Sequence, residues 1–556
     1  MTAPLLGRRA LRLGQPRLLL VAVLAVLVIW PLGALLLRAF ADGADGYRRM
    51  FDVPDFGQIV ANTVGLAIGS VIIAVFVGAG LAWCVSRAPR RVRGWLGLIP
   101  LLPLIMPAVA STTGWIFLLT PRVGYINVLL RKLPFFDHLV SGPIDIFGMP
   151  GIILLTGFSL VGFVYLYVRT SMEAIGSELE DAAAICGASP LRVFRTVTLP
   201  LIRPALIYSA GIAMLLGVGQ FTNPLLLGRP KNVNVITTVM YGATIEFPVD
   251  YALGAALASP LLVIGAVIML LQRTAVGNQS RYVVVTGKSN FRQTKGTWWA
   301  VPPVLLFAVV AVILPVMALL LVAMSPFWSG TIDWGGLGFD NIQKVLGDPK
   351  TTAAVGTSVR AILSALVVVV PLGFAAALVL RQARDRLNSV IDLFTVVPLT
   401  MPAAIFGFAI LYSYAGGPFS LYGTTTIIVL AYTTLMIPHA VRPQLAAMMS
   451  IGTEYAEASR VSGAGRVRTI WKVEIPLVRS GIAVAVALVV VLLFHEFSAS
   501  MMVRTARTQV MGTLLYDFYT SGLYPSVAVV ALLMVVITTV GVALALAVGG
   551  RRALQN

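Results

Sequence analysis

Apolar stretches about twenty residues long recur along almost the whole chain, and no other feature limits its possible folds so severely. A helix rises 1.5 Å per residue, so roughly 20 apolar residues cross the hydrocarbon core of a bilayer. Inside that core each backbone N–H and C=O must be satisfied without water, which leaves helices or closed barrels. Continuous apolar runs predict helices. Six lie near 17–38, 59–85, 96–119, 151–168, 204–222 and 252–271, and six near 300–324, 358–380, 389–412, 424–441, 481–500 and 525–548. Together they occupy most of the 556 residues, so little length remains for a soluble catalytic domain. Only 11% of residues are charged and 58% are hydrophobic, whereas soluble domains carry about 25% charged residues. The expected fold is an all-α polytopic membrane protein with about twelve transmembrane helices. With two cysteines, Cys84 and Cys186, and three histidines, the chain has neither a disulfide framework nor His or Cys at metal-ligand spacing.

The net charge of +19 would suggest nucleic acid on a soluble protein. Its placement indicates otherwise. With the N-terminus taken as cytoplasmic, 28 of the 41 Lys and Arg fall in inner segments. These include Arg8, Arg9, Arg12, Arg87, Arg90, Arg91, Arg93, Arg273, Arg281, Lys288, Arg292, Arg551 and Arg552. The outer segments hold 13, nearly balanced by twelve acids. This asymmetry follows the positive-inside rule. It predicts a multi-pass protein with both termini cytoplasmic, in contact with membrane lipid and with no role for nucleic acid. The basic N-terminus followed by an apolar run and Ala39-Phe40-Ala41 also resembles a cleavable signal. The run is too long for that, and a span with a similarly placed proline (Pro31, Pro315) recurs later, so a retained helix is expected.

The chain repeats itself. Residues 175–228 align with 451–504 at an offset of 276: Ile175-Gly176-Ser177-Glu178 with Ile451-Gly452-Thr453-Glu454, Gly187-Ala188 with Gly463-Ala464, Pro200-Leu201 with Pro476-Leu477. Upstream, Pro103-Leu104-Ile105-Met106-Pro107 matches Pro398-Leu399-Thr400-Met401-Pro402 at an offset of 295. Two six-helix halves in the same orientation are therefore expected. The first covers 1–272, a basic cytoplasmic linker 273–298, and the second half 299–556. Parallel repeats of this kind are a transporter plan in which substrate passes between the halves.

The best-preserved repeat is polar and follows the fourth span of each half. It reads Glu180-Asp181-Ala182-Ala183-Ala184-Ile185-Cys186-Gly187 within 175–203, and Glu457-Ala458-Ser459-Arg460-Val461-Ser462-Gly463 within 451–479; a proline stands thirteen residues after each glycine. The pattern predicts a short helix with small residues on one side, ended by a glycine, then a basic turn and a proline at the start of the next span. An amphipathic connector lying on the membrane would explain one such loop; two copies with one Gly-to-Pro spacing, each after the fourth span, argue against that reading. The motif resembles the EAA loop of type I ABC-importer permeases (MetI-like fold). In that family it forms the coupling helix that docks on the ATP-binding subunit. The resemblance puts Glu180, Asp181, Ala182, Ala183, Gly187, Glu457, Ala458, Ser459 and Gly463 at the docking surface; Asp181 and Ser459 are mild departures. It implies two copies of a separate ATP-binding subunit on the cytoplasmic side, an extracytoplasmic substrate-binding protein, and residence in a bacterial inner membrane. The nearest phosphate-loop match, Thr286-Gly287-Lys288-Ser289, has Tyr282 where the first glycine is required. No cofactor is therefore expected in this chain, and ATP and Mg belong to the partner; the chain is expected to be non-catalytic.

Gly219-Gln220-Phe221-Thr222-Asn223, at the end of the fifth span, aligns with His495-Glu496-Phe497-Ser498-Ala499. A carboxylate within a span is costly and usually faces a polar cavity or partner. Gln220, Asn223, Glu496 and Ser498 are thus the expected path or gate residues, with Glu496 opposite Gln220. The alternative is a Glu496 carboxylate bonded to His495 or a nearby hydroxyl. No metal site is expected. A fused two-half permease resembles the iron(III), thiamine and 2-aminoethylphosphonate group of importers, and iron(III) is the cargo it favours. A proton-coupled secondary carrier also has two six-span halves, but it needs no docking motif inside each half.

Overall fold

The computed structural model describes residues 16–174, 179, 182–183, 185–276, 296–382, 385–416, 419–451 and 454–549. The linker residues 277–295, together with Glu180 and Asp181 of the first polar motif, lie outside the described residues. Every regular element among the described residues is helical. Among the described residues nine unbroken helices are long and apolar enough to cross a membrane, and three bent pairs bring the total to as many as twelve. In chain order the first half has α1 (Pro16–Ala41), α2 (Phe56–Arg87), the bent α3 (Arg90–Leu104 and Ala108–Leu119), α4 (Met149–Glu173), α5 (Phe194–Val218) and α6 (Tyr251–Gln272). The second has α7 (Trp298–Met324), α8 (Pro349–Leu380), the bent α9 (Arg386–Thr400 and Ala403–Tyr414), α10 (Thr425–Ile451), the bent α11 (Arg466–Leu477 and Arg479–His495) and α12 (Tyr524–Ala543).

Segments 96–119 and 389–412 are not the continuous spans that hydropathy suggests. They bend by 89° and 111°. The cause is the repeated proline motif. Pro103 and Pro107, like Pro398 and Pro402, remove backbone donors and obstruct the preceding turn. The chain tightens into 3-10 turns at Ile99–Leu104 and Val397–Thr400, then restarts as helix after Pro107 and Pro402. Each half therefore carries an angular apex deep inside the protein.

Prolines elsewhere are absorbed by wider turns. Five-residue π segments directly precede the Pro31, Pro200, Pro315 and Pro476 neighbourhoods, at Ala25–Ile29, Phe194–Thr198, Val309–Ile313 and Ile470–Glu474. In α1, Pro31 has no N–H for the Leu27 carbonyl. Thr434 Oγ1 of α10 donates to that carbonyl at 3.2 Å, and Tyr414 Oη of α9 donates to the Val26 carbonyl at 2.6 Å. Neighbouring helices thus satisfy the groups a proline frees. The π turns also change the expected entry of the fifth spans: in α5 the basic turn bearing Arg195 runs straight into the span, leaving Pro200 inside it. In α11 the same stretch breaks after Leu477 with a 71° bend.

The halves are interlocked by their first helices. The helix continuing α1, Trp30–Asp52, packs on α6 of its own half and on Ala403–Tyr414 of the other. The later part of α7, Leu314–Met324, reciprocates against α12 and Ala108–Leu119. Gly114 permits this approach, since a Cβ there would lie 2.7 Å from the Pro315 Cβ. One buried apolar core runs from Leu24 in α1 to Met534 in α12.

Candidate translocation path and coupling helices

The two apexes meet the ends of the fifth spans from the opposite half. The carbonyl of Ile105, at the α3 apex, lies 2.7 Å from His495 Nε2 at the end of α11. Symmetrically, Gly219 at the end of α5 sits so close to the α9 apex that a Cβ would lie 2.9 Å from the Pro402 Cβ. Between these contacts Phe221 and Phe497 stack across the interface, with centroids 6.0 Å apart and planes 27° apart. They are equivalent residues of the repeat, 276 apart, so the pair marks the pseudo-twofold axis. Equivalent groups can meet each other only on such an axis.

This geometry relocates the expected path residues. Phe221 and Phe497 face each other, whereas Gln220 and Glu496 are turned onto their own backbone. Gln220 Oε1 accepts from the Phe221 N–H at 3.0 Å. The Glu496 carboxylate folds onto the start of the helix Ser498–Val503. It accepts from the Ala499 N–H at 2.6 Å, the Ser500 N–H at 2.9 Å and Ser500 Oγ at 2.7 Å. Such a carboxylate satisfies the otherwise unpartnered N–H groups of a helix start. Its surrounding cavity is lined by second-half residues only, among them Ser358, Tyr432, Leu493 and Met534. Tyr432 Oη then bonds Ser500 Oγ at 2.9 Å.

The first half braces the equivalent turn differently. Buried Asn223 accepts from Thr112 Oγ1 and donates to Thr156 Oγ1 at 2.9 Å. Thr156 and Tyr432 are equivalent at 276. Where the first half places Thr112 against Asn223, the second places Gly407 against Ala499, so close that a Cβ would lie 2.7 Å from the Ala499 backbone. Ser498 is half-buried, beside the Phe497 ring. Among the described residues no group of three or more His, Cys, Asp or Glu could hold a metal ion.

At the other end of the molecule, the second polar motif forms the helix Glu454–Val461. Gly463 adopts φ +84°. The Ala464 N–H bonds the Ser459 carbonyl and the Gly463 N–H the Arg460 carbonyl, at 3.1 and 3.0 Å. This is a Schellman ending, which needs a left-handed residue. The first copy repeats it: Gly187 has φ +82° and the Ala188 N–H bonds the Ala183 carbonyl at 3.1 Å. Glu457, Ala458 and Ala182 are exposed, as are Val461 and Ile185. Ser459 is turned inward, its hydroxyl 3.1 Å from Thr469 Oγ1, and so ties the helix to the basic turn. Behind it, Glu474 is buried and pairs with Arg381 at the end of α8.

A bundle of membrane helices with a repeated proline-bent span and the same left-handed glycine ending in each half has the build of a duplicated transport permease. The chain belongs to the family described as "Binding-protein-dependent transport system inner membrane component", whose model matches twice, over residues 71–276 and 369–553. It is similar to the ferric transport system permease protein FbpB of Actinobacillus pleuropneumoniae, at 23% identity over 497 residues, 87% of this chain and 70% of the relative. It also resembles the spermidine/putrescine transport system permease protein PotB of Escherichia coli, at 26% identity over 231 residues, 41% of this chain and 80% of the relative.

Proposed function

We propose that the chain provides the membrane path of an importer, coupled to two copies of a separate ATP-binding subunit in the cytoplasm and fed by an extracytoplasmic binding protein. The observation that carries this reading is the exposed helix Glu454–Val461 with its left-handed Gly463, together with the same left-handed ending at Gly187 in the other half. Glu180, Asp181, Ala182, Ala183 and Gly187 form one docking surface; Glu457, Ala458 and Gly463 form the other, with Ser459 holding its angle. Small side chains allow a partner to approach closely, and the acidic groups supply a directional contact. ATP and Mg are bound by the partner, and this chain is non-catalytic. Both termini lie in the cytoplasm, and the membrane is a bacterial inner membrane.

The cargo we propose is iron(III). The supporting observations are the relative named for ferric transport over most of this chain and the nearly neutral outer face. A second relative is named for spermidine and putrescine, also cationic cargoes. Thiamine and 2-aminoethylphosphonate are the alternatives. Gln220, Asn223, Glu496 and Ser498 support the walls of the constriction, and Phe221 and Phe497 form its centre. The test is uptake of radiolabelled iron(III), thiamine, aminoethylphosphonate and spermidine into proteoliposomes holding the chain, its ATP-binding subunit and its binding protein. ATP-dependent uptake of iron(III) is expected. Uptake driven by a proton gradient without ATP or a second protein would overturn the reading in favour of a secondary carrier.

A further inference from the structure

On the outer side of the Phe221–Phe497 stack the halves exchange a second pair of contacts. Arg229 and Arg504 are equivalent, as are Tyr241 and Tyr516, each pair separated by 275 residues. The offset drops from 276 because the first half has one extra residue, taken up in the π turn Pro224–Gly228, the usual accommodation of a single insertion. In space the pairs are crossed. Arg229 of the first half donates to Tyr516 Oη of the second at 3.3 Å. Arg504 of the second half lies within electrostatic reach of the Tyr241 phenol of the first. Both tyrosines are buried, and their rings rest on the axial stack, Tyr241 on Phe221 at 5.4 Å and Tyr516 on Phe497 at 6.2 Å. Above them lies a cavity of about 300 Å³ between the halves, lined by Tyr241, Tyr251, Tyr422, Arg504, Gln509 and Asp517.

We propose that the Arg229–Tyr516 bond and the crossed Arg504–Tyr241 contact are the outer latch of the path, and that Arg229 and Arg504 set how readily the halves part above the aromatic stack. The chemistry suits repeated opening. The ion pair of the cluster, Arg504 with Asp517 at 2.5 Å, lies wholly within the second half, and Gln509 of that half also bonds Asp517. Within this cluster the contacts that cross the interface are to neutral phenols, so parting the halves here strands no unpaired charge. Water entering the cavity can replace each phenol. The latch is also unequal. Arg504 is held in place by Asp517, whereas Arg229 is exposed and its bond to Tyr516, at 3.3 Å, is long for a hydrogen bond. The Arg229 arm therefore opens first.

The test needs neither the cargo nor the ATP-binding subunit, so its failure is separable from failure of the importer reading. Gln220→Cys is placed in a Cys84→Ala, Cys186→Ser background and labelled from the outside with a membrane-impermeant maleimide in right-side-out vesicles. Slow labelling is expected with the latch intact. The double variant Tyr241→Phe, Tyr516→Phe keeps the ring packing and removes both cross-half acceptors. It is expected to raise the labelling rate at least about tenfold, the change expected when a hydrogen bond to a charged group is lost. Arg229→Gln is expected to act in the same direction. In the assembled complex both variants are expected to raise ATP hydrolysis in the absence of binding protein. An unchanged labelling rate in the double tyrosine variant would overturn the latch, as would fast labelling of the intact latch.

Discussion

At the residue scale, the two glycines ending the docking helices and the carboxylate at the end of α11 carry the sharpest expectations. Gly187 and Gly463 sit near φ +80° with open space where a Cβ would be. Backbone strain, and not a clash, is therefore the cost of substitution, about 1–3 kcal/mol for a non-glycine residue. Proline, fixed near φ −65°, cannot adopt this turn at all. Gly187→Pro and Gly463→Pro are expected to insert at normal levels, judged by membrane-fraction blots, and to lose co-purification of the ATP-binding subunit; Gly463→Ala should show a partial loss. For Glu496 the relevant fact is its three donors. Truncation leaves the Ala499 and Ser500 N–H groups unpaired, at about 1–3 kcal/mol for each buried group, while Ser500 Oγ keeps Tyr432. Glu496→Ala is thus expected to lower the unfolding temperature of the purified chain markedly and Glu496→Gln less, since an amide oxygen still accepts. Equal stability of the Ala variant and the parent would contradict the helix-start role. The glutamate itself was conspicuous in the sequence as a charge in an apolar run. Its orientation was not, because its partners are the two backbone groups and the hydroxyl of the turn it precedes, and that turn forms only where α11 ends.

At the scale of elements, the broken spans decide the site. Proline spacing in the two matched motifs was plain in the sequence, but hydropathy averages over a window and reads both halves of a bent span as one helix. The apex is what lets α3 reach His495 and α9 reach Gly219. The close contact of Gly407 with the Ala499 backbone is its tightest consequence. Gly407→Val is expected to push the Ser498–Val503 helix away from α9. Overpacking of this kind typically costs about 1–3 kcal/mol, and the readout is a fall in both uptake and thermal stability. The α1 clasp makes a milder prediction. Thr434→Val and Tyr414→Phe each remove a cross-half donor to a carbonyl near Pro31. Each should cost about 0.5–1.5 kcal/mol, measured as a drop in unfolding temperature in detergent, while docking of the ATP-binding subunit is retained.

For the molecule as a whole, the purified chain is expected to show no ATP hydrolysis and to acquire it only with a separate subunit, measured by phosphate release; hydrolysis by the chain alone would refute the division of labour. Span number, helical class, the duplication and the glycine endings of the polar loops were legible in the sequence, because each rests on a local property: twenty apolar residues, a constant offset, a glycine at a helix end. The residues that meet at the interface were not. Phe221 and Phe497 look like ordinary apolar residues in apolar surroundings, and Arg229, Tyr241, Arg504 and Tyr516 like routine residues near the outer boundary. Their common offsets of 275 and 276 marked them as equivalent, but equivalence along a chain does not say which equivalent groups face each other. That depends on where the pseudo-twofold axis passes. The sequence by itself determined a duplicated bundle of membrane helices with a polar, glycine-ended loop in each half, since hydrophobicity and local backbone chemistry act at short range. Only the tertiary structure decided that an aromatic pair, and not the buried carboxylate, lies on the axis, because the position of an axis is set by the packing of all the helices at once.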